Sequence, residues 1–147
     1  MKKILVFSAL ALIALSMITV GCNKQTDYPP SMAAVIDSIS FAASGTGFVA
    51  KLDGGSLTMT GTTSIFTPGT TFNPSIKIIV ASSIGTHTIN KDATAMVYTS
   101  ATGNAGTAAV SGQVVVLNNN SGKIQGNFTF TCADGTTVKN GRFTANQ

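Results

Sequence analysis

A single histidine and one of the two cysteines are the side chains in this sequence that could perform acid–base or nucleophilic chemistry. His87 is the only histidine, so a nucleophile–base pair would have to be built on it, with Ser, Thr or Cys132 as the nucleophile. The sequence around these residues contains neither a nucleophile elbow nor a cysteine-protease context. We therefore expect His87 to be a packing or rim residue and the protein not to be an enzyme. A hydrolase that uses His87 is kept as an alternative.

Metal binding requires several His, Cys, Asp or Glu side chains at suitable spacings. The sequence has one histidine, five dispersed aspartates and no glutamate. Asp53 and Asp134 each precede a glycine, and turn formation accounts for both carboxylates. Paired carboxylates of the glycosidase type are not favoured in a chain without glutamate. We expect no metal and no cofactor.

The N-terminal segment has the spacing that cysteine acylation requires. Residues Met1 to Lys3 are followed by an apolar run from Ile4 to Val20 and then by Gly21-Cys22. This pattern predicts a bacterial lipoprotein signal peptide over residues 1–21, with cleavage between Gly21 and Cys22 and a lipid, including a fatty acid such as palmitate, on Cys22. A membrane span is the alternative, since the run is about the minimum length for one. Thr19 departs from the usual pattern, in which leucine stands three positions before the cysteine.

Residues 22–31 are predicted to form the lipidated cysteine and a polar tether that ends in prolines. Pro29 and Pro30 favour an extended conformation and oppose a helix. Asn23, rather than aspartate, follows Cys22, so the inner-membrane retention signal is missing. We expect an exported protein that is anchored in the cell envelope, at the outer membrane, through the lipid on Cys22. The sequence does not distinguish between a location on the periplasmic face and one on the cell surface.

Charge argues against a nucleic-acid partner. Removal of Lys2 and Lys3 with the signal segment lowers the formal net charge from +4 to +2. The remaining charged residues are scattered singly, with no basic run and no interleaved aromatic residues. Small and hydroxyl residues are abundant and tryptophan is absent, which is typical of a secreted all-β domain.

From Met32 onward, apolar residues recur with period two between turn residues about every eight to twelve positions. We predict a single β-domain over residues 32–147, an antiparallel β-sandwich or flattened β-barrel of about nine strands, preceded by a signal-peptide helix and an extended tether. The period does not separate sandwich from barrel, since both alternate in the same way. Pairing of the first hairpin with the last strand would indicate a closing sheet.

Local patterns predict several strands and irregularities. Lys123 to Cys132 is the clearest strand, with Cys132 on its inner face, and Asp37-Ser38 is expected to connect the first hairpin. Thr62 to Pro74 is expected to be a loop with at most a short edge strand at Ser64 to Phe66. Further expectations are inward-facing Phe48, Ala50 and Leu52, bulges at Ser111-Gly112 and Asn140-Gly141, and a glycine-rich turn at Thr102 to Gly106.

Three segments carry a family resemblance: Met32 to Phe41, Gly85 to Ile89, and the pair Gly126 to Phe130 with Asn140 to Phe143. In these segments the chain resembles small lipoproteins of uncharacterised function from the Bacteroidota group, across most of residues 32–145. His87 stands where that pattern has tyrosine, and Asp37-Ser38 stands where it has a glycine-containing turn. The resemblance implies an anchored all-β domain and supplies no active site.

The leading functional hypothesis is a lipid-anchored, non-enzymatic binding or assembly module with an envelope protein or glycan partner. The alternative is a lipocalin-like barrel that carries a small apolar ligand, which would require an interior cavity. Asp37-Ser38-Ile39 also fits an acceptor pattern for O-glycosylation, although a turn explains the same residues.

Overall fold

A computed structural model of the chain describes residues 29–67, 70–98 and 106–147. The predicted signal segment, Cys22, the tether up to residue 28 and most of the glycine-rich turn at 102–106 lie outside the described residues. Within those ranges the chain forms β1 (Ser31–Ile36), β2 (Ile39–Ser44), β3 (Phe48–Asp53), β4 (Ser56–Thr62), β5 (Ile65–Thr67), β6 (Thr70–Phe72), β7 (Ser75–Ala81), β8 (Gly85–Thr88), β9 (Ala93–Tyr98), β10 (Thr107–Asn120), β11 (Lys123–Cys132) and β12 (Thr137–Asn146).

Ten of these strands form one antiparallel sheet, which confirms the all-β prediction. The strand order is β2-β1-β12-β11-β10-β9-β7-β4-β3, and β8 also pairs with β10. The first hairpin does pair with the last strand, since Met32 lies opposite Phe143.

The long strand β10 divides the sheet into two layers. Its first residues, Thr107 and Ala108, pair with β9, whereas residues 113–116 pair with β8. The first layer therefore contains β2, β1, β12, β11, β10 and β8, and the second contains β3, β4, β7 and β9.

The β2 end of the strand order packs through side chains against β4, the neighbour of β3 at the other end. A Cβ atom placed on Gly61 of β4 would lie 3.1 Å from the Met32 sulfur, and equally close to Phe41 and Ala43. Only a glycine lets the two layers approach this closely without displacing a neighbour. The sheet is thus a nearly closed, flattened barrel.

Apolar side chains fill the space between the layers. Leu57, Met59, Ile76, Ile78 and Val80 are buried, as their alternation predicts. The inner face of β11 is likewise buried from Ile124 to Cys132.

The prediction that Leu52 faces inward is wrong. Leu52 is 36% exposed, whereas Phe48 at the start of the same strand is buried. On the face of β3 that carries Phe48, exposure increases from buried Phe48 through half-buried Ala50 to exposed Leu52. β3 is the last strand in the strand order, and it diverges from the core as it approaches the turn after Asp53. The alternation of apolar residues alone does not reveal that divergence.

The segment predicted as a loop contains a hairpin. Strands β5 and β6 pair with each other, with Ile65 opposite Phe72, and form a separate two-stranded sheet. Pro68-Gly69 and Asn73-Pro74 dominate the sequence signal here. The β-compatible triplets between these turn residues are short, so the period-two pattern is weak.

Both predicted bulges correspond to register shifts. Strand β10 continues through Ser111-Gly112, with a shift in its pairing to β11 between Ala109 and Ser111. Between β11 and β12 the register moves from Phe128–Gly141 to Phe130–Val138, so β12 has one extra residue. Asn140 takes up the extra residue at a positive φ of 53°. The insertion lets Val138 and Phe143 both face the core.

Candidate binding surface

Two Gly-x-Phe triplets on β11 and β12 interlock across the first layer. Gly126 lies opposite Phe143, and Phe128 lies opposite Gly141. A Cβ atom on Gly126 would lie 2.6 Å from the Phe143 ring, and one on Gly141 would clash with the Phe128 ring. Each ring therefore occupies the space above the opposing glycine, an arrangement that fixes register between strands.

The middle residues of the two triplets point to the opposite, outward face. Asn127 and Arg142 are direct cross-strand partners and are both exposed. Side chains at such positions have Cβ atoms about 4.5–5.5 Å apart. The buried Gly–Phe pairs thus hold an amide and a guanidinium side by side on the surface.

Polar and small side chains extend this surface across the neighbouring strands. Gln125 lies opposite Thr144, and its amide nitrogen Nε2 donates to Thr144 Oγ1 at 3.5 Å. On the β1 side of Arg142, the cross-strand neighbours are Ala33 and then Ala42. Their small side chains leave the surface beside the arginine flat. We name the outward side chains of Gln113, Gln125, Asn127, Thr129, Arg142 and Thr144 the Arg142 face.

Two open clefts adjoin at Arg142. One is lined by Gln113, Val115, Asn127, Phe128, Thr129, Asn140, Gly141 and Arg142. The other is lined by Ser31, Met32, Ala33, Ala42, Ala43, Ser44, Gln125, Arg142, Phe143 and Thr144. The guanidinium therefore stands where a ligand lying across either cleft would meet it.

The Arg142 face is cationic and lacks an internal counter-ion. Arg142 is the only arginine in the sequence, and it makes no hydrogen bond or ion pair with any residue that the structure describes. The six described strands of the first layer contain no Asp or Glu. Lys139, opposite Val35, adds a second cation to the outward side of β12. A planar guanidinium in this setting is suited to a carboxylate, which it binds through two parallel N–H···O bonds.

The two aspartates at one end of the first layer serve the backbone. Asp37 accepts hydrogen bonds from the Thr137 N–H at 2.8 Å and from Thr137 Oγ1 at 3.1 Å. Asp134 accepts from the Thr136 N–H and from Thr107 Oγ1, both at 2.9 Å. Donation by the Thr136 N–H, followed by the Thr136 and Thr107 hydroxyls, lowers the pKa of Asp134. These contacts place both carboxylates in turns.

His87 lies inside the fold, opposite Val114 of β10. Its side chain is 8% exposed, and its Nε2–H donates to the Ser83 carbonyl oxygen at 2.8 Å. His87 lines none of the clefts described here. The neighbours of the His87 ring are thus a backbone carbonyl and the apolar strand β10.

Cys132 is buried on the inner side of β11, where the sequence places it. Burial raises the pKa of the thiol, and the negative charge of Asp134 raises it further. Across residues 29–67, 70–98 and 106–147, no three His, Cys, Asp or Glu side chains are grouped so that they could hold a metal ion.

A third open cleft lies on the second layer, beside Ile79 and between the turns at Gly54-Gly55 and Asn90 to Asp92. Lys91 and Asp92 contribute opposite charges there. The cleft therefore lacks the uniform sign of the Arg142 face and is a weaker candidate site.

The sequence singled out the segments that contain the two Gly-x-Phe triplets, through the family resemblance, but the Arg142 face was missed. Its signal is the polar middle residue of each triplet, combined with the single arginine of the chain. The predicted site residues Gly21 and Cys22 lie outside the described residues.

No protein-family model, curated protein or solved structure matches the chain. Among the residues described, there is no helix with the length and apolar character needed to cross a bilayer.

Proposed function

We propose that the chain is a lipid-anchored, non-enzymatic binding module of the cell envelope, and that its Arg142 face binds a glycan that carries carboxylate groups. The supporting observation is the exposed, unpartnered Arg142 within a row of amide and hydroxyl side chains that contains no competing carboxylate. The anchor is Cys22, at the outer membrane, and the tether connects it to the β-domain.

A glycan suits the chemistry of this face. Amides and hydroxyls both donate and accept hydrogen bonds, as sugar hydroxyls do. Gln113, Asn127 and Thr129 line the cleft on one side of Arg142, and Gln125 and Thr144 line the other. An extended acidic oligosaccharide can therefore place a carboxylate on the guanidinium and its hydroxyls along the two clefts.

The interior supports binding at an outer surface rather than transport of an apolar ligand. Met59, Ile78 and Val114 are fully buried between the layers, together with apolar residues from most of the other strands. A carrier needs an enclosed cavity. The three clefts described above are instead open to solvent and lie on outward faces.

The proposal is tested by calorimetric titration of the full mature chain with alginate oligosaccharides, and with maltohexaose as a neutral probe. Arg142→Gln keeps a polar side chain but removes the charge, and it should weaken alginate binding by about tenfold or more, because a hydrogen bond to a charged group contributes about 1.5–3 kcal/mol. Lys77→Gln, which removes a cation from the outward face of β7, is the matched control and should leave the affinity unchanged. Equal binding of alginate by the wild type and Arg142→Gln, or equal binding of both probes by the wild type, would contradict the proposal.

A further inference from the structure

Two large aliphatic side chains lie exposed next to each other where β8 meets β10. Ile84 is 65% exposed and Leu117 is 58% exposed. Gly85 pairs with Val116, so Ile84, just before Gly85, adjoins Leu117, just after Val116. The register of β10 against β11 shifts between Val116 and Asn118, which leaves Leu117 as an extra residue without a partner on β11.

The segment that presents Ile84 is held firmly. The Ser82 N–H donates to the Gly55 carbonyl at 2.8 Å, and the Ser82 carbonyl accepts from Asn119 Nδ2 at 2.8 Å. The next carbonyl, of Ser83, accepts from His87 Nε2. Ser82 and His87 are the two buried polar side chains among the described residues, and both belong to this arrangement. The exposure of Ile84 is thus a consequence of fixed geometry.

Ile84 and Leu117 lie at the end of the domain where the tether joins β1. Ser31, the first residue of β1, pairs with Thr144, Thr144 with Gln125, and Gln125 with Asn118, the neighbour of Leu117. Three strand spacings separate Ser31 from Asn118, about 14 Å. The segment from Cys22 to Ser31 spans at most about 30 Å when fully extended.

We propose that this end of the domain rests on the lipid bilayer, with Ile84 and Leu117 in contact with the interfacial region. The inference relies on the lipid anchor of the proposed function, because that anchor holds the tether end close to the membrane. A rigid apolar pair surrounded by polar side chains matches the headgroup boundary, where apolar groups enter and polar groups remain in contact with water. Asn118, Asn120 and Lys123 provide that polar surround.

The test uses the full lipidated chain in vesicles of phosphatidylethanolamine and phosphatidylglycerol. A nitroxide is attached in turn to Ile84→Cys, Leu117→Cys and a control, Val110→Cys. Val110 is 52% exposed and lies on the same strand as Leu117, about 23 Å away at the usual rise per residue. Buried Cys132 is retained, and its background labelling is measured in the parent chain.

Collision rates of each nitroxide with oxygen and with a water-soluble nickel chelate are then compared. We expect nickel accessibility at positions 84 and 117 to be several-fold lower than at position 110, with oxygen accessibility higher. Equal nickel accessibility at all three positions in protein that floats with the vesicles would overturn this inference and leave the anchored function intact. Failure of the wild-type chain to float would overturn the anchor and, with it, the inferred orientation.

Discussion

At the scale of single residues, the reciprocal Gly–Phe pairs determine how β11 and β12 fit together. Gly141→Ala places a methyl group against the Phe128 ring and should lower the free energy of unfolding by about 1–3 kcal/mol, the usual cost of overpacking a core. In a Phe128→Leu background the same change should cost less, since the ring is gone. Urea denaturation of the two single variants and the double variant measures this coupling. Strictly additive losses would show that the ring and the glycine do not share one space.

Cys132 gives a second prediction at this scale. Burial raises the pKa of its thiol above the ordinary value of 9.0, so the folded state favours the protonated form. Stability from this group is fully present below about pH 9 and declines as the pH rises through the folded pKa, because the unfolded thiol ionises first. Native protein at mildly alkaline pH should react with a disulfide reagent at least tenfold more slowly than protein in denaturing urea.

The matched variant is Cys132→Ala, which should remove both the slow thiol reaction and this part of the alkaline decline in stability. Rapid reaction of the native, lipidated chain would contradict the buried, protonated state of Cys132.

At the scale of elements, the extra residue on β12 keeps Val138 and Phe143 on the same side of the strand. Deletion of Asn140 would turn one of these core side chains outward and should cost several kcal/mol, the size expected for removing a large apolar residue from the core. Asn140→Gly keeps the residue count and suits the positive φ of 53°, so it should be nearly neutral. Thermal unfolding followed by circular dichroism separates the two outcomes. A deletion variant as stable as the wild type would show that the bulge does not determine the register.

The hairpin of β5 and β6 should be the least protected part of the described sheet structure. These strands pair only with each other, whereas β7 pairs with β4 and β9 on its two sides. An isolated two-stranded hairpin is marginal in water. Hydrogen exchange measured by mass spectrometry should be at least tenfold faster in Ile65–Thr67 than in Ser75–Ala81. Equal protection of the two segments would contradict this prediction.

Sequence patterns predicted the elements better than their arrangement. The alternation in Lys123 to Cys132 and the phase conflict between Val138 and Phe143 are local, so the strand and its neighbouring bulge were both predictable. The pairing of β8 with β10 instead of β9 joins His87 to Val114, far apart in sequence, and no local pattern encodes it. Leu52 was misassigned for a related reason, since its exposure depends on where β3 lies in the strand order.

At the scale of the whole molecule, apolar side chains fill the interior, so we expect a ligand to bind on an outer face. The polar neighbours of Arg142 could not be predicted from the sequence, because they depend on the cross-strand register that brings Asn127, Gln125 and Thr144 beside it. None of the six described strands of the same layer contains an acidic residue. The acidic-glycan site that we propose thus depends on the assembled sheet.

The proposed lipid on Cys22 determines where the domain resides and which partners it meets. The most direct measurement is metabolic labelling with a clickable palmitate analogue, followed by membrane fractionation, for the wild type and for Cys22→Ala. We expect the wild type to carry the label and sediment with membranes, and Cys22→Ala to lose the label and leave the membrane fraction. A Cys22→Ala variant that still carries the label and stays in the membrane fraction would contradict the proposed anchor.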